Sequence, residues 1–219
     1  MGSLRRVDNN WFMDVNHFAR STPWAHPAME FWAHLAGATF LGLLVLLAWW
    51  FARHSTNPIR TVSLALWAGI GPFIAYALAH YILKPVVAEK RPFVTLHGVE
   101  VLLTSSPNFS FPSGHATFAG AVIAGLWLAR RHIIATIATI AGLLLAFGRV
   151  YVGVHYPWDV IGGLIIGAAV VLILYPIGIK FTTWLATFVS GLGPFRFLVV
   201  AGDGAQPRTI SSTRKPMRL

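Results

Sequence analysis

Apolar residues dominate five stretches of the chain, at residues 31–52, 62–83, 112–130, 133–152 and 158–179. Each approaches or exceeds the length of about 20 residues that a bilayer-crossing helix needs. The connections at 53–61 and 131–132 are short and carry Arg53, Arg60, Arg130 and Arg131. Residues 84–111 form the one long internal connection, rich in polar groups and proline. The pattern predicts an all-α, polytopic membrane bundle of about five transmembrane helices, with no internal repeat. The transmembrane domain is expected over residues 28–180.

The two ends read differently. Trp11, Phe12, Val15 and Phe18 recur at helical spacing, with Asp8, Asp14 and Asn16 on other faces. This predicts a short amphipathic helix lying at the membrane interface within residues 1–27. Those residues lack an uninterrupted apolar core, so no cleavable signal peptide is expected. Residues 181–200 follow Lys180 and are interrupted by Gly191, Gly193, Pro194 and Arg196. An interfacial segment is expected there, with a sixth span as the alternative. Residues 201–219 read as a disordered basic tail.

Composition supports a lipid solvent. The chain is 56% hydrophobic and only 11% charged, against about 25% charged residues in a soluble domain. Lys and Arg number 17 against 7 Asp and Glu, a net charge of +10. In a soluble protein that excess would raise nucleic acid as a partner. Here the basic residues lie between or beyond apolar runs, so membrane topology accounts for them and nucleic acid is not expected. Cysteine is absent, which excludes disulfides, zinc–thiolate sites and thiol catalysis.

The same charges set an orientation through the positive-inside rule. With five spans, one side carries Arg53, Arg60, Arg130, Arg131, Lys180, Arg196, Arg208, Arg214, Lys215 and Arg218. The other carries Arg5, Arg6, Arg20, Lys84, Lys90, Arg91 and Arg149. The first side is the expected cytoplasm, and the 84–111 connection then faces outward.

Three clusters at span ends fall on that outward side. The first, "KPVVAEKRP", places Arg91 seven residues after Lys84; either cation alone also fits a snorkelling anchor. The second is Pro112-Ser113-Gly114-His115. Proline suits a first helical turn, the free N–H groups and dipole there suit an anion, and Ser113 can donate a hydroxyl. Gly114 lets a ligand approach the backbone, and His115 can move a proton near neutral pH. A capped helix with an incidental histidine is the plainer reading. The third, "GRVYVGVHYPWD", holds Arg149, His155 and Asp159. The i, i+4 spacing would let Asp159 reach one ring nitrogen of His155 and leave the other free to attack. A capping pair at a span boundary would use the same residues. Taken together, three cations, a helix N-terminus, a hydroxyl, two histidines and a carboxylate at membrane depth mark a site for an anion.

These clusters resemble the signature of the type 2 phosphatidic acid phosphatases, also called lipid phosphate phosphatases. It has three parts: Lys-x6-Arg-Pro, Pro-Ser-Gly-His and Ser-Arg-x5-His-x3-Asp. The chain matches as Lys84…Arg91-Pro92, Pro112-Ser113-Gly114-His115 and Gly148-Arg149…His155…Asp159. One position departs, Gly148 standing where the pattern has serine. The resemblance implies that His155 attacks phosphorus and becomes a phosphohistidine, with Asp159 orienting it. It implies that His115 protonates the leaving oxygen and then activates water. Lys84, Arg91, Ser113, Gly114 and Arg149 would bind the phosphate, with no metal and no cofactor. On this scheme Asp159→Asn is expected to cost orders of magnitude in rate through lost control of the tautomer.

Within that family the compact five-span form is most similar to bacterial polyprenyl diphosphate phosphatases. This implies a phosphorylated isoprenoid partner, undecaprenyl diphosphate, converted to undecaprenyl phosphate in cell-wall carrier recycling. Phosphatidylglycerol phosphate, phosphatidate and a prenyl-linked sugar phosphate are alternative substrates. The implied location is the bacterial cytoplasmic membrane, with the site facing outward. A vanadate-dependent haloperoxidase and a non-catalytic lipid-phosphate binding or transport protein are the readings from other classes. His97 and Glu100 read as solvated loop residues beside the site and His80 as a satisfied intramembrane histidine. His34 reads as an interfacial or loop residue. Trp32, Trp49, Trp50 and Trp158 suit an aromatic belt, and Gly163 and Gly167 a close helix contact.

Overall fold

The computed structural model describes residues 2–103 and 108–201, with side chains from Arg5 onward. The regular structure among them is entirely helical. Helix α1 (Gly2–Ser21) precedes α2 (Pro23–Ala52), which contains a wide π turn at Trp32–Ala36. Helix α3 (58–87) runs from Pro58–Leu78 through a second π turn, Ala79–Leu83, to Lys84–Val87. The short α4 (Pro92–Thr95) lies in the long connection. Then come α5 (Gly114–Leu128), α6 (His132–Tyr151), α7 (Pro157–Ile173) and α8 (Tyr175–Gly191), with a 3-10 turn at Gly193–Leu198. The basic tail expected over 201–219 lies, from residue 202, outside the described residues.

All five apolar runs form helix, but their lengths differ from the expectation. Pro23–Ala52, Pro58–Thr95 and His132–Tyr151 are long and apolar enough to cross a membrane. A fourth qualifies if α7 and α8, bent by 62°, count as one span. The apolar α5 has only 15 residues, because Ser113 is extended and gives its N–H to the Asp159 carbonyl at 3.0 Å. Pro112 therefore precedes the helix instead of opening its first turn. The run at 158–179 divides at Leu174. Pro176 has no N–H for the carbonyl four residues earlier and its ring crowds that carbonyl, which favours a break or kink there, although α3 runs on through Pro72. Much of the stretch at 181–200 thus belongs to α8.

Helix α5 is the centre of the bundle, packed on α3, α6 and α7. Leu41, Leu44, Val122, Leu126 and Leu145 form its largest buried cluster with several alanines. The α5–α7 contact is the closest. A Cβ at Gly163 would sit 2.8 Å from the Ser113 carbonyl oxygen, and one at Gly167 would run into that of Thr117. Small residues let helix backbones meet where lipid offers no hydrophobic drive. This contact brings the first turn of α7 against the first turn of α5, and with them Asp159 against Ser113.

Helix α1 packs against α6 and α7 by a face that carries polar as well as apolar side chains. Asp8, Phe12, Asn16 and Ala19 are buried, while Trp11 and Phe18 are exposed. The inward polar side chains are all bonded. Asp8 Oδ1 accepts the Trp158 N–H at 3.1 Å, and Asn16 bonds both the N–H and the carbonyl of Glu100 at 3.0 and 2.8 Å. Apolar periodicity does not register such partners. Phe12 meets Tyr156 edge-on at 5.6 Å. At the opposite end of the bundle, Arg53 Nη1 donates to the Phe197 carbonyl at 2.7 Å and stacks on Trp49 and Trp50.

Candidate active site

The three clusters meet in one place. Lys84, Arg91, Gly114, His115, Arg149 and His155 line a single pocket of about 180 Å³, together with His34, Tyr76, His80, Leu103 and Asn108. Ser113 and Asp159 lie directly behind it, fully buried.

His155 sits in the turn that joins α6 to α7. Gly153 makes that turn possible: its φ is +82°, and a Cβ there would strike the Glu100 carbonyl. The long connection lies across the turn, with the Leu102 N–H on the Val152 carbonyl at 3.1 Å. Asn16 clamps that connection at Glu100, and Arg20 pairs with the Glu100 carboxylate at 3.6 Å. Helix α1 therefore braces the histidine turn from outside. Glu100 is a structural tie here, whereas His97 is exposed.

The His155 ring is fixed on both sides. Nδ1 lies 3.2 Å from Asp159 Oδ2, and Nε2 lies 3.5 Å from Arg91 Nη1. A carboxylate accepts and a guanidinium only donates, so Nδ1 carries the proton and the bare Nε2 faces the pocket. Burial first, then the positive charges of Arg149, Arg91 and Lys84, hold this imidazole well below its usual pKa range. It is a neutral ring with a free nitrogen lone pair near pH 7. Asp159 Oδ2 also accepts from Ser110 Oγ and from the Tyr156 N–H at 2.8 Å. The carboxylate caps α7 and orients His155 at once, so the two readings of this pair coexist.

The cations are held by backbone oxygens. Lys84 Nζ donates to the Phe109 and Ser110 carbonyls at 2.6 and 3.1 Å. Arg91 donates to the Asn108 carbonyl and side chain, and to the Val154 carbonyl at 2.8 Å. Arg149 Nη1 donates to the Ala33 carbonyl at 2.9 Å, and His115 Nε2 lies 3.4 Å from the His34 carbonyl. Those two acceptors come from the π turn in α2, a widened turn that frees carbonyls from the helix ladder. None of these cations pairs with a carboxylate among the described residues, so their charge remains available to an anion.

At the pocket, two buried donors have no partner among the described residues: Ser113 Oγ and Arg149 Nε. Ser113 stands at the N-cap of α5, where serine usually bonds a first-turn N–H, yet it makes no such bond. Gly114 follows with no side chain over the first-turn amides, and a Cβ there would press on Tyr76 at 2.9 Å. A hydroxyl, a guanidinium edge and free helix N–H groups converge as a tetrahedral oxyanion requires.

Several contributors escaped sequence reasoning. Ser110 and Asn108 secure Asp159 and Arg91 from the long connection. His34 and His80 line the pocket through π turns that no spacing rule marks. Gly148 has a packing reason: a Cβ there would lie 3.3 Å from that of Ala33, whose carbonyl holds Arg149.

The family model for the PAP2 superfamily matches residues 62–183, a stretch that contains all of these pocket cations and both histidines of the motifs. The chain belongs to the PAP2 superfamily. Among curated relatives of this superfamily member, undecaprenyl-diphosphatase BcrC of Bacillus subtilis is 35% identical over 147 residues, 67% of this chain and 70% of that protein. An undecaprenyl-diphosphatase of Sulfolobus acidocaldarius is 31% identical over 139 residues, 60% of this chain and 67% of that one. Among solved structures, a transmembrane PAP2-type phosphatidylglycerolphosphate phosphatase from Bacillus subtilis superposes with a TM-score of 0.62 at 23% identity. That match covers 82% of this chain and 88% of the other. The PAP2 assignment and the apolar helices make this a membrane phosphatase.

Proposed function

We propose that the protein hydrolyses a polyprenyl diphosphate, undecaprenyl diphosphate foremost, to the monophosphate through a phosphohistidine at His155. The observation that carries this reading is the His155–Asp159 pair, with Nε2 bare and turned to a pocket lined by cations.

The Nε2 lone pair attacks the terminal phosphorus, forming a P–N bond as the bridging P–O bond breaks. The lipid monophosphate leaves on the bridging oxygen, which takes a proton from His115. The phosphorylated ring is cationic, with Nδ1–H held on the Asp159 carboxylate. Neutral His115 then takes a proton from water as the water oxygen attacks phosphorus. The P–N bond breaks, its electron pair returns to Nε2, and inorganic phosphate leaves. Lys84, Arg91, Ser113, Arg149 and the Gly114 N–H hold the phosphoryl oxygens as charge moves among them. These cations can balance that charge without a metal.

The relatives named for undecaprenyl diphosphate support this substrate, as does a phosphate pocket at the ends of membrane helices, where an apolar tail stays in lipid. The positive-inside count over five spans supports a site facing outward, and the Bacillus relative supports a bacterial inner membrane. The test is phosphate release by purified protein in detergent with EDTA, offered undecaprenyl diphosphate, phosphatidylglycerol phosphate and phosphatidate side by side. Preferred, EDTA-resistant release from undecaprenyl diphosphate is expected. Preference for either glycerolipid, or loss of activity to EDTA with rescue by a divalent metal, would overturn the substrate or the metal-free scheme respectively.

A further inference from the structure

Asp159 uses its two oxygens unequally. Oδ2 takes Ser110 Oγ–H, the Tyr156 N–H and His155 Nδ1–H. Oδ1 is buried, and no N–H or hydroxyl among the described residues reaches it. A buried carboxylate oxygen without a donor costs free energy. The acid placed beside this carboxylate is Glu89, which lines a cleft with Asp8 and with Trp158, the residue next to Asp159, and is coupled to Asp159 electrostatically. Its backbone is fixed there, since the Glu89 carbonyl accepts the Ser110 N–H at 2.7 Å.

We propose that Glu89 is a positioning residue that, in its protonated form, donates to Asp159 Oδ1, locking the carboxylate that orients His155. The inference rests on the reading of His155 as nucleophile. Two carboxyl groups in contact cannot both ionise, so one proton is shared between them. Asp159 is bound by three donors and faces Lys84 and Arg91, whereas Glu89 has one flank on solvent. The proton therefore resides on Glu89. Burial, then the charge of Asp159, push the Glu89 carboxyl up to about 7, with Arg5 opposing.

The solvent flank is an open cleft of about 900 Å³, lined by Arg5, Asp8, Glu89, Lys90 and Trp158. Among the described residues, the ionisable groups facing Glu89 are Asp159 from α7, Arg5 and Asp8 from α1, Lys90 beside it and Tyr156 in the histidine turn. Asp8 is itself pushed up to about 6, chiefly by burial. The cleft and the phosphate pocket share no lining residue, so Glu89 exchanges its proton with water without crossing the substrate site. As pH rises through about 7, Glu89 ionises, the donor to Oδ1 is lost and two like charges face each other. Activity should fall on that limb.

The experiment compares pH profiles of kcat and KM for the wild type, Glu89→Gln, Glu89→Ala and His155→Ala, all full-length in detergent. Glutamine keeps a donor at every pH. It should retain turnover within about threefold at pH 6 and lose the alkaline limb near pH 7. Alanine should lower kcat by about tenfold at pH 6 with KM little changed, as loss of one buried hydrogen bond to a charged group implies. Two results would overturn the proposal: a limb that persists unchanged in Glu89→Gln, or an alanine variant with wild-type kcat. His155→Ala separates this from the underlying scheme, because its activity would remove the nucleophile whatever Glu89 does. Should the alanine variant not fold, the glutamine profile alone decides.

Discussion

Asp159→Asn exchanges a charge for a dipole with almost no change of shape, and the structure dictates how the amide must sit. Three donors converge on Oδ2. The serine hydroxyl can rotate, but the Tyr156 N–H, at 2.8 Å, can only donate. An amide NH2 in that place would set donor against donor, so the asparagine carbonyl must occupy the Oδ2 position. It then still accepts His155 Nδ1–H, and the tautomer survives. What is lost is the negative charge 3.2 Å from a ring that becomes cationic when phosphorylated. A hydrogen bond to a charged group contributes about 1.5–3 kcal/mol. At about 1.4 kcal/mol per tenfold, loss of that contribution predicts a fall of roughly 10- to 150-fold. This is milder than the loss of several orders of magnitude that tautomer failure alone would bring. The fall should appear in kcat from single-turnover phosphate release, with KM close to that of the wild type. Near-normal turnover would refute the charge argument. A loss as deep as that of His155→Ala would refute the placement of the amide oxygen.

Three further outcomes follow from the same geometry. In the ligand-free protein, imidazole 15N shifts of His155 should report a neutral ring protonated at Nδ1 at pH 6, because burial and the surrounding cations lower its pKa; a charged ring at that pH would contradict this. Ser113→Ala should lower kcat/KM by about fivefold, the worth of one hydrogen bond, while leaving thermal stability unchanged, since Ser113 Oγ has no partner among the described residues; a clear fall in melting temperature would show a structural role instead. In this cysteine-free chain, His97→Cys, on an exposed part of the long connection, should react with impermeant thiol reagents in intact cells, and reaction only after lysis would invert the topology.

Much of the site was legible because its residues stand at fixed spacings on helix ends. Lys84 and Arg91, the Ser113–His115 stretch, and Arg149, His155 and Asp159 each keep a register that a helix or turn converts into a direction. The structure brings them to one pocket, with Ser113 and Asp159 buried behind it. What the sequence could not supply were the partners that have no register. Ser110 reaches Asp159 from the long connection, and Asn16 reaches Glu100 across 84 residues of chain. The contacts of α1 with the bundle were hidden for the same reason. Asp8 and Asn16 look like surface residues until their backbone partners on α7 and in the connection are known. Helix ends were blurred as well. The division at Leu174 is favoured by Pro176, and the late start of α5 follows from the bond between the Ser113 N–H and Asp159. The π turns in α2 and α3 carry no periodic mark, so His34 and His80 entered the pocket unannounced.

The central claim is that His155 Nε2 forms a covalent bond to phosphorus. The measurement that reaches it most directly is rapid-quench phosphopeptide mapping under alkaline conditions, which preserve a P–N bond, with undecaprenyl diphosphate labelled in the terminal phosphate. The account predicts transient label on His155 in the wild type and no label anywhere in His155→Ala. Turnover with no labelled protein, or label on His115 in place of His155, would contradict it.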